Sequence, residues 1–445
     1  MAPQEPSVLI VGAGTFGVST AWHLAKTYKD PSRVTIIDRS PSPPKPAAAV
    51  DINRIIRTDY ANPLYCDLAY TALHDWFWQQ ELQAHFFKVG WLYLNEEGSD
   101  LAKDVRATLK KRGSHLAEDV NLNDMSKRWD VLDGTSTEGF DSAYLNPDAG
   151  WCNAAAATAS LMTAAEERGV RREIGDVHEL TMDPQGGRIR SVCTTEGKHY
   201  SADRIVLAVG AWTSALLSPI EEALDIAEQD RVEQQVRATG AVTAYYKVSA
   251  EEVNRLTKTE LPCVIYGERG EVIPPSKDNH LIKYSNTVGT FTNTVSMASG
   301  KKISIPVIGR SQYEVPEKLK RETEEMMSTK VMPAYTQGKR PDYWRIAWDA
   351  LTPTEDWLLC KHPHPKLSNL FLAVGGSFHS YKFLPVAGKY MVSVLNGESN
   401  GDEKDKAWGW KATADWEKAT GKRVPRRELR DLDNEPSSTH AQSKL

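Results

Sequence analysis

A glycine-rich turn near the start of the chain, between a short apolar run and a predicted helix, limits the possible folds most strongly. Residues 8–11 read VLIV, which is typical of a strand buried on both faces, and residues 12–17 read GAGTFG. The second segment fits the pattern G-x-G-x-x-G. In this pattern Gly12 allows the tight turn, Gly14 lets the backbone approach a pyrophosphate, and Gly17 lets the helix pack closely on the strand.

An acidic residue ends the next predicted strand and completes a βαβ unit. Residues 34–37 read VTII and precede Asp38, which lies 21 residues after Gly17. A carboxylate here can accept hydrogen bonds from both ribose hydroxyls of a dinucleotide, while the helix N-terminus binds the phosphates. The alternative is a glycine-rich turn with a structural role only. The predicted dinucleotide-binding residues of this unit are Gly12, Gly14, Thr15, Phe16, Gly17, Asp38 and Arg39.

Strand-like segments of two kinds follow. Residues 204–209 (RIVLAV, apolar after the arginine) and 371–374 (FLAV) are buried-strand patterns followed by glycine, like the first strand. Residues 242–246, 263–266 and 281–284 alternate with turns, which is typical of an antiparallel sheet. We therefore predict an α/β fold (α+β overall), in which a Rossmann-like dinucleotide-binding domain is intertwined with an antiparallel-sheet substrate domain.

The predicted domains are discontinuous because the two kinds of segment interrupt each other along the chain. The predicted ranges are 1–85, 145–235 and 355–400 for the dinucleotide-binding domain, 86–144 and 236–354 for the substrate domain, and 401–445 for a C-terminal tail.

The C-terminal tail ends in a predicted targeting signal. Ser443-Lys444-Leu445 is the peroxisomal import tripeptide. Residues 425–442 carry charges, prolines and serines but few large apolar side chains, so we expect them to be mobile and accessible to the import receptor. This ending predicts a peroxisomal protein, with a chance match as the alternative.

Composition excludes several other classes of protein. The 445 residues are 40% hydrophobic and 25% charged, as in ordinary globular proteins, and their net charge of -5 lacks the basic excess of a nucleic-acid-binding protein. No apolar run is long enough to cross a membrane. Five scattered cysteines without a C-x-x-C motif, and two histidines in residues 361–365 without a third ligand, predict no metal site.

Five separated segments resemble, in the same order, the FAD-dependent amine oxidases typified by monomeric sarcosine oxidase, pipecolate and saccharopine oxidases, and fungal fructosyl amino acid oxidases (amadoriases). The segments are residues 12–17, 53–57 (NRIIR), 202–212 (ADRIVLAVGAW, similar to their second flavin-binding motif), 345–353 and 379–383 (HSYKF). The resemblance implies a fold like that of D-amino-acid oxidase and sarcosine oxidase, with FAD as the cofactor.

The same resemblance implies roles for individual residues. Arg57 and Lys382 match the two cations that hold the substrate carboxylate, by charge-assisted hydrogen bonds. Lys283 matches a lysine that faces oxygen, where a fixed cation stabilises developing negative charge, although a lysine on a strand can also point outward. Arg54 matches a basic residue near the flavin, with a structural ion pair as the alternative. Gly210, Gly376 and Lys382 are expected to contact the cofactor.

One position departs from the pattern of the family. Several members attach FAD through a cysteine five residues before the threonine of a Thr-Pro pair, and Ala347 occupies that position before Thr352. Alanine has no thiolate, so we predict non-covalent FAD. A linkage through Cys360 or Cys66 is the alternative.

The resemblance implies an oxidase of secondary amines attached to an amino-acid carboxylate. The α-carbon gives a hydride to the flavin, the imine product hydrolyses, and O2 is reduced to hydrogen peroxide. Residues 53–57 look more like sarcosine, pipecolate and saccharopine oxidases, whereas residues 304–306 and 410–411 look more like amadoriases. An NAD-dependent dehydrogenase or a non-catalytic flavin-binding protein is the hypothesis from a different functional class. We expect a monomer.

Overall fold

A computed structural model of the chain describes residues 4–43, 45–412, 416–419, 421 and 423–433, and the side chains of residues 287–288 are not described. The predicted import signal, Ser443-Lys444-Leu445, lies outside the described residues. Within these ranges, no helix combines the length and the apolar sequence that a membrane crossing requires.

The glycine turn belongs to a six-stranded sheet that is covered on both faces. The strands, from edge to edge, are Leu358–Lys361, Leu370–Val374, Arg204–Leu207, Val8–Val11, Val34–Asp38 and Arg171–Ile174. All neighbours are parallel except the first pair. Residues of the first strand face alternately two apolar clusters, which explains its uninterrupted apolar sequence. One face is covered by the helices Thr15–Thr27, Ala154–Glu167 and Ala387–Asn396.

The opposite face of this sheet is covered by smaller elements. They are the helix Thr213–Ala223 and a three-stranded antiparallel sheet of Val177–Met182, Ile189–Thr194 and His199–Tyr200.

The second large sheet has eight strands and is almost entirely antiparallel. In spatial order they are Tyr343–Leu351, Arg237–Lys247, Leu281–Phe291, Glu271–Ile273, Cys263–Tyr266, Trp91–Glu96, Phe140–Asn146 and Glu118–Val120. Among the described strands of this sheet, only Cys263–Tyr266 and Trp91–Glu96 pair in parallel. The helices Ala250–Lys258 and Glu317–Met326 pack on one face, where every second side chain is apolar. The other face is turned toward the cavity described below.

The remaining elements connect these two sheets or lie at the surface. The strands Arg54–Ile56, Gly150–Cys152 and Phe86–Phe87 form a small sheet, and Thr294–Ser296 pairs with Lys302–Ser304. The further α-helices are Pro63–Trp78, Leu101–Lys111, Met125–Arg128, Val232–Gln235, Pro333–Thr336, Asp402–Trp408 and Leu429–Asp433.

The strands of the six-stranded sheet all come from the three segments predicted for the dinucleotide-binding domain, and the exact domain boundaries stay a prediction. The predicted mobility of residues 425–442 is wrong for residues 425–433. Leu429 and Leu432, on one face of a short helix, are buried against the eight-stranded sheet domain, and the Arg427 guanidinium binds the Glu322 carboxylate at 2.8 and 2.9 Å. The two leucines, this ion pair and backbone hydrogen bonds to Thr292 hold the segment in place.

Candidate functional site

A cavity of about 900 Å³ lies between the carboxyl ends of the parallel strands and one face of the eight-stranded sheet. It gathers residues that are far apart in the sequence. The predicted site residues that line it are Gly12, Gly14, Thr15, Phe16, Asp38, Arg39, Arg54, Arg57, Gly210, Lys283, Gly376 and Lys382. Gly17 was predicted to bind the cofactor, but it is not among the lining residues, and its contribution is to helix packing.

Steric crowding explains two of the glycines of the turn. Gly12 has φ +100°, and a Cβ there would lie 2.5 Å from the backbone oxygen of Ala208. A Cβ at Gly17 would lie 1.8 Å from the backbone oxygen of Gly12, so only glycine lets the helix approach the strand. Gly14 differs, because a Cβ there would meet only Ala49 at 3.9 Å. It therefore leaves open space in front of the helix.

The helix Thr15–Thr27 begins at this open space without a side-chain cap on its first N–H groups. Such a helix N-terminus is suited to bind phosphate. Asp38 lies beside it, where one carboxylate oxygen accepts a hydrogen bond from the Ala13 N–H at 2.8 Å, and burial raises the pKa of this carboxyl group. This arrangement fits the adenosine diphosphate part of a dinucleotide. It offers uncapped N–H groups, open space at Gly14 and an acidic residue, Asp38, beside the helix N-terminus.

Asp51 is a buried carboxylate that the sequence analysis did not identify, and it holds three cations next to the cavity. Its Oδ2 lies 2.9 Å from Lys283 Nζ and 3.4 Å from an Arg345 guanidinium nitrogen, and it also pairs with Arg54. The Tyr245 hydroxyl donates to its Oδ1 at 2.9 Å. These neighbours hold the pKa of Asp51 well below its usual range, despite its burial. One anion against three cations leaves the cluster with a net positive charge.

Lys283 faces inward, so the alternative of an outward-pointing lysine is wrong. Its side chain is 2% exposed, and Nζ also donates to the Asn53 backbone oxygen at 3.1 Å. Burial and the nearby Arg54 lower the pKa of Lys283 to about 8, although Asp51 opposes this shift. Arg54 combines the two predicted roles, because it forms an ion pair with Asp51 and also lies in the cavity wall.

Arg57 and Lys382 meet at Tyr60. The Arg57 guanidinium lies 4.6 Å from the centre of the Tyr60 ring and 5.0 Å from that of Trp91, and it donates to the Asp59 backbone oxygen. Lys382 Nζ donates to the Tyr60 hydroxyl at 2.9 Å. Arg57 follows the strand Arg54–Ile56, whereas Lys382 lies in a short turn after the last parallel strand. A half-buried guanidinium and a buried lysine amine around one tyrosine are suited to bind a carboxylate.

None of the cysteines lies in the described wall of the cavity. Ala347, on the strand Tyr343–Leu351, lines the cavity, and all five cysteines are free and buried elsewhere.

Three possible metal ligands, which the sequence analysis did not single out, lie together outside the cavity. His178, Glu179 and Cys193 place one ligand atom each within 4.8 Å of one another on the small three-stranded sheet.

Solved structures with the same architecture confirm the predicted fold class. Amadoriase II, the fructosamine oxidase of Aspergillus fumigatus, superposes with a TM-score of 0.82 over 97% of both chains at 22% sequence identity. Amadoriase I of the same organism gives a TM-score of 0.78 over 96% of this chain and 94% of that chain, at 23% identity.

Curated relatives extend the comparison to the sequence. The chain is 28% identical over 424 residues to L-saccharopine oxidase of Schizosaccharomyces pombe. The matched region covers 91% of this chain and 93% of that protein. It is 24% identical to the monomeric sarcosine oxidase of Bacillus sp. strain B-0618, over 89% of this chain and 93% of that protein. Residues 7–394 match the family described as FAD dependent oxidoreductase, DAO. The predicted resemblance is thereby confirmed, and the chain belongs to this family of FAD dependent oxidoreductases.

Proposed function

We propose that the protein oxidises secondary amines attached to an amino-acid carboxylate, passing the electrons through FAD to O2 and producing hydrogen peroxide. The observation that carries this proposal is the meeting of Arg57 and Lys382 at Tyr60, in the cavity that also contains the glycine turn. The substrates in the names of its relatives, saccharopine and sarcosine, both combine an amine with a carboxylate, which supports this class.

The residues of the chain bind and orient the substrate. When bound, FAD supplies the acceptor for a hydride from the α-carbon. The planar fork of Arg57 binds a carboxylate with two parallel hydrogen bonds, and Lys382 binds it as a second cation. Tyr60 and Trp91 contact the Arg57 guanidinium with their rings and hold the side chain in place. Fixing the carboxylate at one place also fixes the α-carbon, which is catalysis by positioning.

The positive cluster around Asp51 supports the reaction with oxygen. Reduction of O2 develops negative charge, and a buried cation stabilises that charge strongly because little water screens it. Lys283 is the member of the cluster that we propose for this role, since it lines the cavity and carries a compact charge.

Replacing Lys283 with Met should slow reoxidation of the reduced enzyme by O2 by about 100-fold, the usual effect of removing one such stabilising group. Anaerobic reduction by the amine should change much less, because the carboxylate site remains intact. Stopped-flow measurement of the two half-reactions separates these effects. Equal losses in both half-reactions would reject the role in oxygen reduction.

The pH dependence of reoxidation, compared between the wild type and K283M, tests whether the charge of Lys283 is responsible. The Lys283 cation is present below its pKa of about 8 and is lost as the pH rises through that value. The rate constant for reoxidation should therefore fall above about pH 8 in the wild type, and the K283M variant should lack this fall.

We also propose that FAD is bound without a covalent link. Ala347 has no thiolate, and no cysteine is among the described residues of the cavity wall. Acid precipitation should release all of the yellow cofactor into the supernatant, as seen by absorbance. The variant Ala347→Cys is the control, because it restores the residue that the resemblance implies for the link. Wild-type protein that stays yellow after precipitation would contradict the proposal.

A screen of candidate amines tests the proposed function. N-methyl, cyclic, saccharopine-like and fructosyl amino acids are offered to the purified holoenzyme, and oxygen uptake and hydrogen peroxide are measured together. We expect both signals with at least one of these classes. Consumption of NADH without peroxide would favour the NAD-dependent alternative, and no turnover with any donor would favour a non-catalytic flavin-binding protein.

Location and oligomeric state also stay proposals. Ser443-Lys444-Leu445 supports import into peroxisomes, where the peroxide product would be contained. We retain a monomer as the proposed state.

A further inference from the structure

The cavity contains two buried lysines with different partners. Lys283 has the Asp51 carboxylate at 2.9 Å. Among the described residues, the hydrogen-bond acceptors of Lys382 are the Tyr60 hydroxyl, at 2.9 Å, and the His379 backbone oxygen. In the part of the chain that the structure describes, no carboxylate lies within ion-pair distance of Lys382 Nζ. A buried ammonium without a counter-ion is costly, and the neutral amine is favoured instead.

The positive charges around Lys382 act in the same direction, whereas the Glu271 and Asp59 carboxylates act against them and have the smaller effect. Both oxygens of the nearby Asp59 carboxylate are already occupied, by the Tyr144 hydroxyl at 3.1 Å and the Asn146 amide at 2.8 Å. Burial and two guanidinium groups lower the pKa of Lys382 well below its ordinary value. The titratable and charged groups that face Lys382 are Arg57, Asp59 and Tyr60 from the segment after the small-sheet strand, Glu271 from the eight-stranded sheet, His379 from its own turn, and Arg423 from the C-terminal segment.

We propose that Lys382 is a neutral amine in the free enzyme and accepts the proton of the substrate ammonium when the substrate carboxylate binds beside it. The N–H bond of the substrate ammonium breaks, its electron pair stays on the substrate nitrogen, and a new N–H bond forms at Nζ of Lys382. The step needs no oxidant and leaves the amine in the neutral form that can give up a hydride. This inference rests on the proposed function and adds a proton acceptor to the carboxylate site.

Binding itself drives the transfer. A carboxylate placed between Arg57 and Lys382 supplies the counter-ion that Lys382 lacks, so it stabilises the Lys382 ammonium. The substrate nitrogen meanwhile enters a cavity with several fixed cations, which disfavour a further positive charge. Both effects move the proton from the substrate to Lys382, and the charged lysine then holds the carboxylate.

A carboxylate ligand without an amine reveals the protonation state of Lys382. Thioether acids such as (methylthio)acetate and tetrahydrothiopyran-2-carboxylate replace the amine by sulfur, which carries no proton. Calorimetric titration of the holoenzyme at about pH 8, in two buffers with different heats of ionisation, measures the protons exchanged on binding. The wild type should take up about one proton per ligand bound.

The variant Lys382→Arg separates this explanation from others, because arginine keeps the charge but is protonated already. We expect it to bind the thioether acids with almost no proton uptake, and its visible spectrum shows whether it holds FAD. If it does not hold FAD, Lys382→Met must likewise remove the uptake. Binding to the wild type without uptake would overturn the inference, as would equal uptake in K382R, which would indicate that another group of the cavity, such as Lys283 or His379, takes up the proton. Failure of every thioether acid to bind the wild type would instead contradict the proposed carboxylate site.

Discussion

Replacing Asp51 with Asn should lower the free energy of unfolding by about 3–5 kcal/mol, the loss typical of removing one partner from a buried ion pair. The amide cannot balance the charges of Lys283, Arg54 and Arg345, which would remain buried against one another. Because these side chains also line the cavity, the variant should retain less FAD after purification. Urea unfolding followed by fluorescence and the ratio of flavin to protein absorbance measure the two effects.

The control for this experiment is Asp100→Asn. Asp100 pairs with Lys103 at 3.2 Å on the exposed surface, where such a pair contributes at most about 1 kcal/mol. If D51N were no less stable than D100N and held FAD equally well, Asp51 would not be the counter-ion on which the cavity depends.

Replacing Arg57 with Ala should weaken the binding of carboxylate substrates by about 2–5 kcal/mol, since it removes one partner of a charge pair shielded from water. FAD content should stay unchanged, because Arg57 contacts Tyr60, Trp91 and Asp59 rather than the glycine turn. The ratio kcat/KM with the best amine from the screen measures the loss, and the flavin spectrum measures the content.

Arg128→Ala is the matched control for R57A. Arg128 is also close to an aromatic ring, that of Trp129 at 4.6 Å, but it pairs with Glu118 on the surface. It should leave kcat/KM unchanged. An unchanged kcat/KM in R57A as well would reject the role of Arg57 in binding the carboxylate.

Local patterns in the sequence were sufficient for much of the fold. The apolar run before Gly12 and the acidic residue at the end of the second strand can be interpreted from a few neighbouring residues alone. This is possible because strand burial and turn sterics are local. The alternating segments likewise predicted the antiparallel sheet around Lys283. The same reasoning failed at Leu429 and Leu432, because two leucines in a charged segment gave too weak a signal to predict a packed helix.

The site was predicted less completely than the fold. Arg57 and Lys382 were found through the resemblance, and only the structure shows that Tyr60 lies between them. Asp51 was missed because it lies in a loop without periodicity, and a buried carboxylate is recognised by its partners rather than by its neighbours in sequence. Its one local signal was the spacing of three residues to Arg54.

Anaerobic mixing of the holoenzyme with the candidate amines tests the central claim most directly. We predict that a secondary amine bearing a carboxylate bleaches the visible absorbance of FAD without any added nucleotide. Admission of O2 should then restore the colour and release an amount of hydrogen peroxide equal to the amount of O2 consumed. If the absorbance stayed unchanged with every carboxylate-bearing amine and bleached only with NADH, the proposed oxidase function would be contradicted.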